Sequence, residues 1–224
     1  MHNHGHHTHV DTTGLTRVVL VGNPNAGKSV FFNALTGMYV DVSNFPGTTV
    51  EVTQAKIGER LYIDTPGVYG ISAFNDEERV TRDVVLTAEV MINVVNASHL
   101  ERDLFLTLQC LEMGVPMVVA VNMIDESERL GLKIDLDLLS HLLGVPVVGT
   151  VAVEKKGFKE LEVALQRPKV GIIGDYVADD LNRLLDRLGT KAEALLYLED
   201  DADVAKRHGL KPPGSREKIY LARR

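Results

Sequence analysis

The 224 residues carry 45% hydrophobic and 25% charged side chains, enough for one full α/β domain with a small appendage and too apolar for an overall disordered chain. A formal net charge of −7 argues against a nucleic-acid partner, which selects for a basic face. One cysteine excludes an internal disulfide, and the apolar runs near Met91 and Met117 fall far short of the roughly 20 residues of a spanning helix, so with no signal peptide a soluble cytoplasmic polypeptide is expected.

Residues 1–16, with His2, His4, His6, His7 and His9 among polar neighbours, cannot build a core and are expected to form a flexible tail rather than a specific metal site. From Arg17 the pattern predicts strands over 17–22, 50–57, 60–64, 90–96, 116–122 and 145–149 with helices between them, a doubly wound, mostly parallel α/β sheet spanning 17–168. One strand should run antiparallel, because the Gly58-Glu59 turn is too short for a crossover. Cys110 lies in the apolar helical stripe from Leu104 to Leu111 and is assigned to the core. After Pro168 the composition shifts, and helices are predicted over 179–188, 191–198, 203–208 and 217–224, forming a small helical domain over 169–224. The last of them has no C-cap, so the chain reads as truncated. The acidic run from Glu199 to Asp203 reads as a helix-start cap rather than a metal site.

Three motifs carry the chemistry. Gly22-Asn23-Pro24-Asn25-Ala26-Gly27-Lys28-Ser29 matches G-x-x-x-x-G-K-[ST] between the apolar strand Val18–Val21 and a helical run from Val30. Its glycines let backbone N–H groups face phosphate oxygens, Lys28 reaches the β- and γ-phosphates, and the Ser29 hydroxyl is a Mg²⁺ ligand. Asp64-Thr65-Pro66-Gly67 ends a strand in D-x-x-G, with Asp64 directed at Mg²⁺ and the Gly67 amide at the γ-phosphate. Asn122-Met123-Ile124-Asp125 ends another strand in N-x-x-D. The Asp125 carboxylate can accept both N1–H and the exocyclic amine of guanine, whereas adenine would leave that charge unpaired, so GTP and GDP are the expected ligands. The remaining Mg²⁺ ligand should be a threonine of Gly47-Thr48-Thr49, and the motif logic leaves Thr48 and Thr49 both open.

With these boxes go Phe32-Asn33-Ala34-Leu35-Thr36-Gly37, Asn44-Phe45-Pro46-Gly47-Thr48-Thr49-Val50-Glu51, Val68-Tyr69, Asp76-Glu77-Glu78, Arg82-Asp83, Val95-Asn96-Ala97-Ser98 and Leu100-Glu101-Arg102-Asp103-Leu104. Over about residues 17–168 the chain resembles the ferrous-iron transport protein B (FeoB) family, in its cytosolic N-terminal G domain. The resemblance implies a P-loop GTPase fold, Thr49 as the switch threonine, and Asn25 as a K⁺ ligand. It also implies a helical regulatory module after the G domain and a C-terminal transmembrane iron-permease domain absent from this chain, at the cytoplasmic face of the bacterial inner membrane. Homo-oligomer formation is left open.

Two positions depart from common GTPase patterns. Ras-like enzymes place a glutamine after D-x-x-G, where this chain has Val68, so catalytic charge must come from elsewhere and the resemblance implies K⁺. The base-contacting loop reads Thr150-Val151-Ala152-Val153 without the usual serine, leaving a backbone N–H at Ala152 to reach guanine O6 from a loop expected to be mobile. The alternative function is a ribosome- or RNA-associated potassium-dependent GTPase. It is disfavoured by the nearly balanced charge of residues 169–224 and their lack of an RNA-binding motif.

Overall fold

The computed structural model describes residues 13–37, 41–71, 75–173 and 175–211; the histidines of the tail and the helix expected over 217–224 lie outside the described residues. In chain order the elements are β1 (Thr16–Gly22), α1 (Lys28–Thr36), β2 (Asp41–Asn44), β3 (Glu51–Ile57), β4 (Arg60–Asp64), α2 (Asp76–Val85), β5 (Val90–Asn96), α3 (Leu100–Glu112), β6 (Met117–Asn122), α4 (Ile124–Arg129), α5 (Leu136–Leu143), β7 (Val147–Thr150), α6 (Phe158–Ala164), α7 (Asp175–Leu188), α8 (Lys191–Leu198) and α9 (Ala202–Arg207).

The strands form one sheet in the order β2-β3-β4-β1-β5-β6-β7. Strands β4, β1, β5, β6 and β7 pair in parallel, and β3 runs antiparallel to both β2 and β4. The central strands are mostly apolar because helices cover both faces; the buried Asn93 of β5 interrupts the pattern, with its amide donating to the Val21 carbonyl and accepting from Thr107. Val19 and Val21 of β1 join one hydrophobic cluster while Val18 and Leu20 join the other. All four are fully buried, and each contributes roughly 1.5–3 kcal/mol relative to exposure.

Strand β2 was not foreseen. Asp41-Val42-Ser43-Asn44 has a single apolar residue and is largely exposed, so its order comes from pairing with β3 at the sheet edge and not from burying a face. At the other edge, β7 starts two residues later than expected, after Pro146, which has no N–H to give to a ladder. Cys110 is fully buried on α3, and burial pushes its thiol pKa up to about 12, which keeps it a neutral packing group.

The helices after residue 174 pack onto the α2/α3 face. Leu181, Leu188, Leu195, Leu196 and Val204 share one buried cluster with Val84, Leu106 and Cys110. Asp201 caps α9 by accepting from the backbone N–H groups of Asp203 and Val204, as expected for the acidic run. It also receives Arg82 Nη1 of α2 at 2.5 Å, and the Arg82 guanidinium is only 2% exposed. Burial alone would lower the Arg82 pKa, but the hydrogen bond and charge of Asp201, joined by those of Asp83, reverse this and raise it above its ordinary value. A second buried tie lies beside it. Gln109 of α3 accepts the Ile71 N–H at 3.1 Å and donates to Glu199 at 3.1 Å.

Candidate functional site

The three motifs meet at the C-terminal edge of the sheet, where the strand order reverses across β1 and a crevice opens. Gly27, with φ +78°, ends the phosphate loop in a left-handed turn, and α1 begins at Lys28 with no side-chain cap. The first N–H groups of that helix are therefore available to an anion, reinforced by the positive end of the helix dipole. A Cβ at Gly27 would lie 2.6 Å from Asn122 Nδ2 and 2.8 Å from Met123 Cε, so only glycine lets the phosphate loop touch the N-x-x-D loop. At Gly67 a Cβ would sit 3.1 Å from the Pro24 backbone; D-x-x-G lies directly on the phosphate loop.

An open cleft of about 410 Å³ is lined by Asn23, Pro24, Asn25, Gly27, Lys28, Ser29, Val30, Gly67 and Glu77. On its floor the buried Lys28 ammonium donates to Asp64 Oδ1 at 2.5 Å and to the Thr65 carbonyl. Ser29 Oγ lies 3.2 Å from Asp64 Oδ2. A hydroxyl and a carboxylate this close, beside a loop of free N–H groups, are the hard oxygen donors that suit Mg²⁺, which is usually held through one or two carboxylates plus phosphate. Thr65 and Pro66 support this floor: the Thr65 hydroxyl donates to the Leu20 carbonyl at 2.8 Å, and the Pro66 carbonyl accepts from Thr81 at 3.3 Å.

Asn122 ties three loops together. Its Nδ2 donates to the Ala26 carbonyl at 3.1 Å, and its Oδ1 accepts from the Ala152 N–H at 3.1 Å and from Thr150 Oγ1 at 3.3 Å. Val151 and Ala152 are buried, and Val151 exchanges backbone hydrogen bonds with Lys156 at 3.1 and 3.2 Å. Backbone pairing thus anchors the base-contacting loop without a serine side chain. The Ala152 N–H foreseen for guanine O6 faces Asn122 in this structure. Met123 adopts φ +59°, which starts α4 and puts Asp125 in its first turn. There Asp125 pairs with Arg129 one turn on, leaving its side chain 25% exposed.

Asn25 is exposed at the cleft with φ +66°, and no hydrogen bond engages its amide among the described residues. An exposed side-chain oxygen beside the phosphate site fits a monovalent cation. Val68 is 2% exposed and sends its backbone N–H to the Gly22 carbonyl at 3.2 Å, so its side chain faces the core. Gly47, Thr48 and Thr49 are not brought to the cleft. They form the turn between β2 and β3, in which the Thr48 hydroxyl donates to the Phe45 carbonyl at 3.1 Å and accepts the Val50 N–H at 3.2 Å. The Thr49 side chain is exposed and takes part in no such bond among the described residues.

Sequence reading missed Asp103, fully buried on α3, which accepts Asn23 Nδ2 at 3.0 Å and the Asn96 backbone N–H at 2.9 Å. It also missed the ties of Arg82 on α2 to Asp201 and of Gln109 on α3 to Glu199. Neither local spacing nor periodicity signals contacts between residues this far apart in the chain.

Residues 16–165 match the family described as ferrous iron transport protein B. The Fe(2+) transporter FeoB of Escherichia coli (strain K12) is 39% identical over 160 residues, covering 67% of this chain and 21% of the relative. The chain therefore spans about a fifth of the length of that curated relative. Among solved structures, S. thermophilus NFeoB bound to GDP.AlF4- and K+ matches with a TM-score of 0.73 and 35% identity, covering 88% of this chain and 84% of that one. The cytosolic domain of L. pneumophila FeoB matches with a TM-score of 0.75 and 34% identity, covering 86% and 84%. No described helix is long and apolar enough to cross a membrane. A mostly parallel P-loop sheet, three motifs in contact at its C-terminal edge, and a match across that sheet place this chain in the ferrous iron transport protein B family, in its N-terminal G-domain region.

Proposed function

We propose that this chain is the GTP-binding and GTP-hydrolysing module that regulates a membrane Fe²⁺ transporter. The carrying observation is the convergence of Lys28, Ser29, Asp64 and Gly67 on one cleft, with Asn122 joining it to the Asp125 loop. The module acts at the cytoplasmic face of the bacterial inner membrane, joined to a C-terminal iron-permease domain outside this chain. Its turnover of GTP to GDP and phosphate is slow and stimulated by K⁺. The RNA-associated alternative is not favoured, because the family matched is a transporter family.

Binding GTP requires Lys28 to turn from Asp64 toward the β- and γ-phosphates, which frees Asp64 and Ser29 to hold Mg²⁺. Gly67 offers its N–H to the γ-phosphate, and Asp125 reads the guanine edge. Asn25 would hold K⁺, which when bound would supply positive charge where an arginine finger otherwise acts, since Val68 is turned into the core. We assign 17–168 to the G domain and 169–224 to a helical regulatory domain. Arg82–Asp201 and Ile71–Gln109–Glu199 support this division of labour, because both connect the segment following Gly67 to the α8–α9 turn.

Thr49 is the ligand proposed to complete the Mg²⁺ site when the β2–β3 turn closes on a γ-phosphate, because the Thr48 hydroxyl is already spent within that turn. Thr49→Ala should weaken Mg²⁺-dependent GTP binding about tenfold, the order expected for one lost contact to a charged group, and leave GDP binding unchanged. Titration of both nucleotides by calorimetry tests this. Equal losses for GTP and GDP would count against Thr49 as a γ-phosphate sensor, while Ser29→Ala should weaken both.

A further inference from the structure

Resting on the GTPase reading above, we infer that Arg102 is a positioning residue for GTP hydrolysis, acting by clamping the Tyr69 ring and thereby fixing the segment that carries the Gly67 amide. The Arg102 guanidinium carbon lies 5.8 Å from the centroid of the Tyr69 ring. That is within the range of an attractive cation–π contact. Arg102 is itself held: its Nε and Nη2 each lie 3.0 Å from Asp103 Oδ1. The same oxygen accepts Asn23 of the phosphate loop at 3.0 Å, and Oδ2 accepts the Asn96 N–H. Asp103 is fully buried, so the anchor of Arg102 is rigid and shared with the phosphate loop.

Tyr69 is half exposed and takes part in no other side-chain hydrogen bond or ring contact among the described residues, yet it lies between two pinned points. Before it, the Val68 N–H bonds to the Gly22 carbonyl; after it, the Ile71 N–H bonds to Gln109. Without the clamp, Tyr69 and Gly70 are the slack in this stretch, two residues from the amide directed at the γ-phosphate. The clamp needs the face of an aromatic ring and a cation; the phenol hydroxyl has no part in it. Its contribution should appear in the rate, because Gly67 acts on the γ-phosphate, and be absent from GDP affinity.

Steady-state GTP turnover and GDP titration on the protein with Tyr69→Leu, Tyr69→Phe, Arg102→Ala and the Tyr69→Leu/Arg102→Ala double variant form the test. Tyr69→Leu should lower kcat about two- to fivefold, the size of an exposed cation–π contact, with GDP affinity unchanged. Tyr69→Phe should retain the wild-type rate. The double variant should be no slower than Arg102→Ala alone. Wild-type kcat in Tyr69→Leu, an equal loss in Tyr69→Phe, or additive losses in the double variant would each overturn the clamp. Loss of GDP affinity in Tyr69→Leu would also overturn it, by showing a role in folding the cleft. A wild type without GTP turnover would overturn the GTPase reading itself, and the clamp with it.

Discussion

Asp125→Asn is expected to lower GTP and GDP affinity roughly 10²-fold and to move preference toward xanthine nucleotides, since hydrogen bonds to a charged group contribute about 1.5–3 kcal/mol each. Guanine presents two N–H donors, which a carboxylate accepts together. Xanthine presents one N–H and one carbonyl, which an amide matches with one acceptor and one donor. Asp125 sits in the first turn of α4, where its charge is favoured by the helix dipole, and it is paired with Arg129. That pair is a poor competitor for the base, because Arg129 is 72% exposed and exposed ion pairs contribute about 0–1 kcal/mol. Competition of GDP, XDP and ADP against a fluorescent guanine nucleotide reads the change. Unaltered GDP affinity in Asp125→Ala would place base recognition elsewhere.

Asn25→Ala should abolish stimulation of GTP turnover by K⁺ while leaving nucleotide affinity close to wild type. Because Val68 is apolar and turned into the core, the residue directly after Gly67 cannot orient the attacking water. The stimulation could approach the 10³-fold at the low end of what arginine fingers contribute, and less for a cation at an exposed site. The competing role for Asn25 is to stabilise the left-handed turn at φ +66°, a conformation asparagine tolerates better than alanine. Asn25→Gly separates the two, since glycine keeps the turn and removes the amide. If Asn25→Gly retains K⁺ stimulation, the side chain is not the cation's ligand.

Much of this site was legible because its chemistry is written in short local runs. Gly22–Ser29, Asp64–Gly67 and Asn122–Asp125 each follow a continuous apolar strand, and the structure puts β1, β4 and β6 where those runs stand. The α9 cap at Asp201 was legible for the same reason, since an acidic residue before a helix start has a local meaning. Strand β2 was not, because a four-residue polar edge strand is defined by its partner and carries no pattern of its own. The contacts that join the motifs were also hidden. Asn23 meets Asp103 across 80 residues and Arg82 meets Asp201 across 119, separations at which side-chain type gives no hint of a partner. Motif spacing left Thr48 and Thr49 both open and the family resemblance implied Thr49; the hydrogen bonds of the Thr48 hydroxyl inside its own turn favour the same residue.

The central claim is that this cleft binds and hydrolyses GTP. Phosphate release by the wild-type protein with Mg²⁺ and either GTP or ATP, in KCl and in NaCl, tests it most directly. Turnover of GTP that is faster in KCl, with none of ATP, is the expected result. No GTP turnover in either salt, or equal rates for GTP and ATP, would contradict the account.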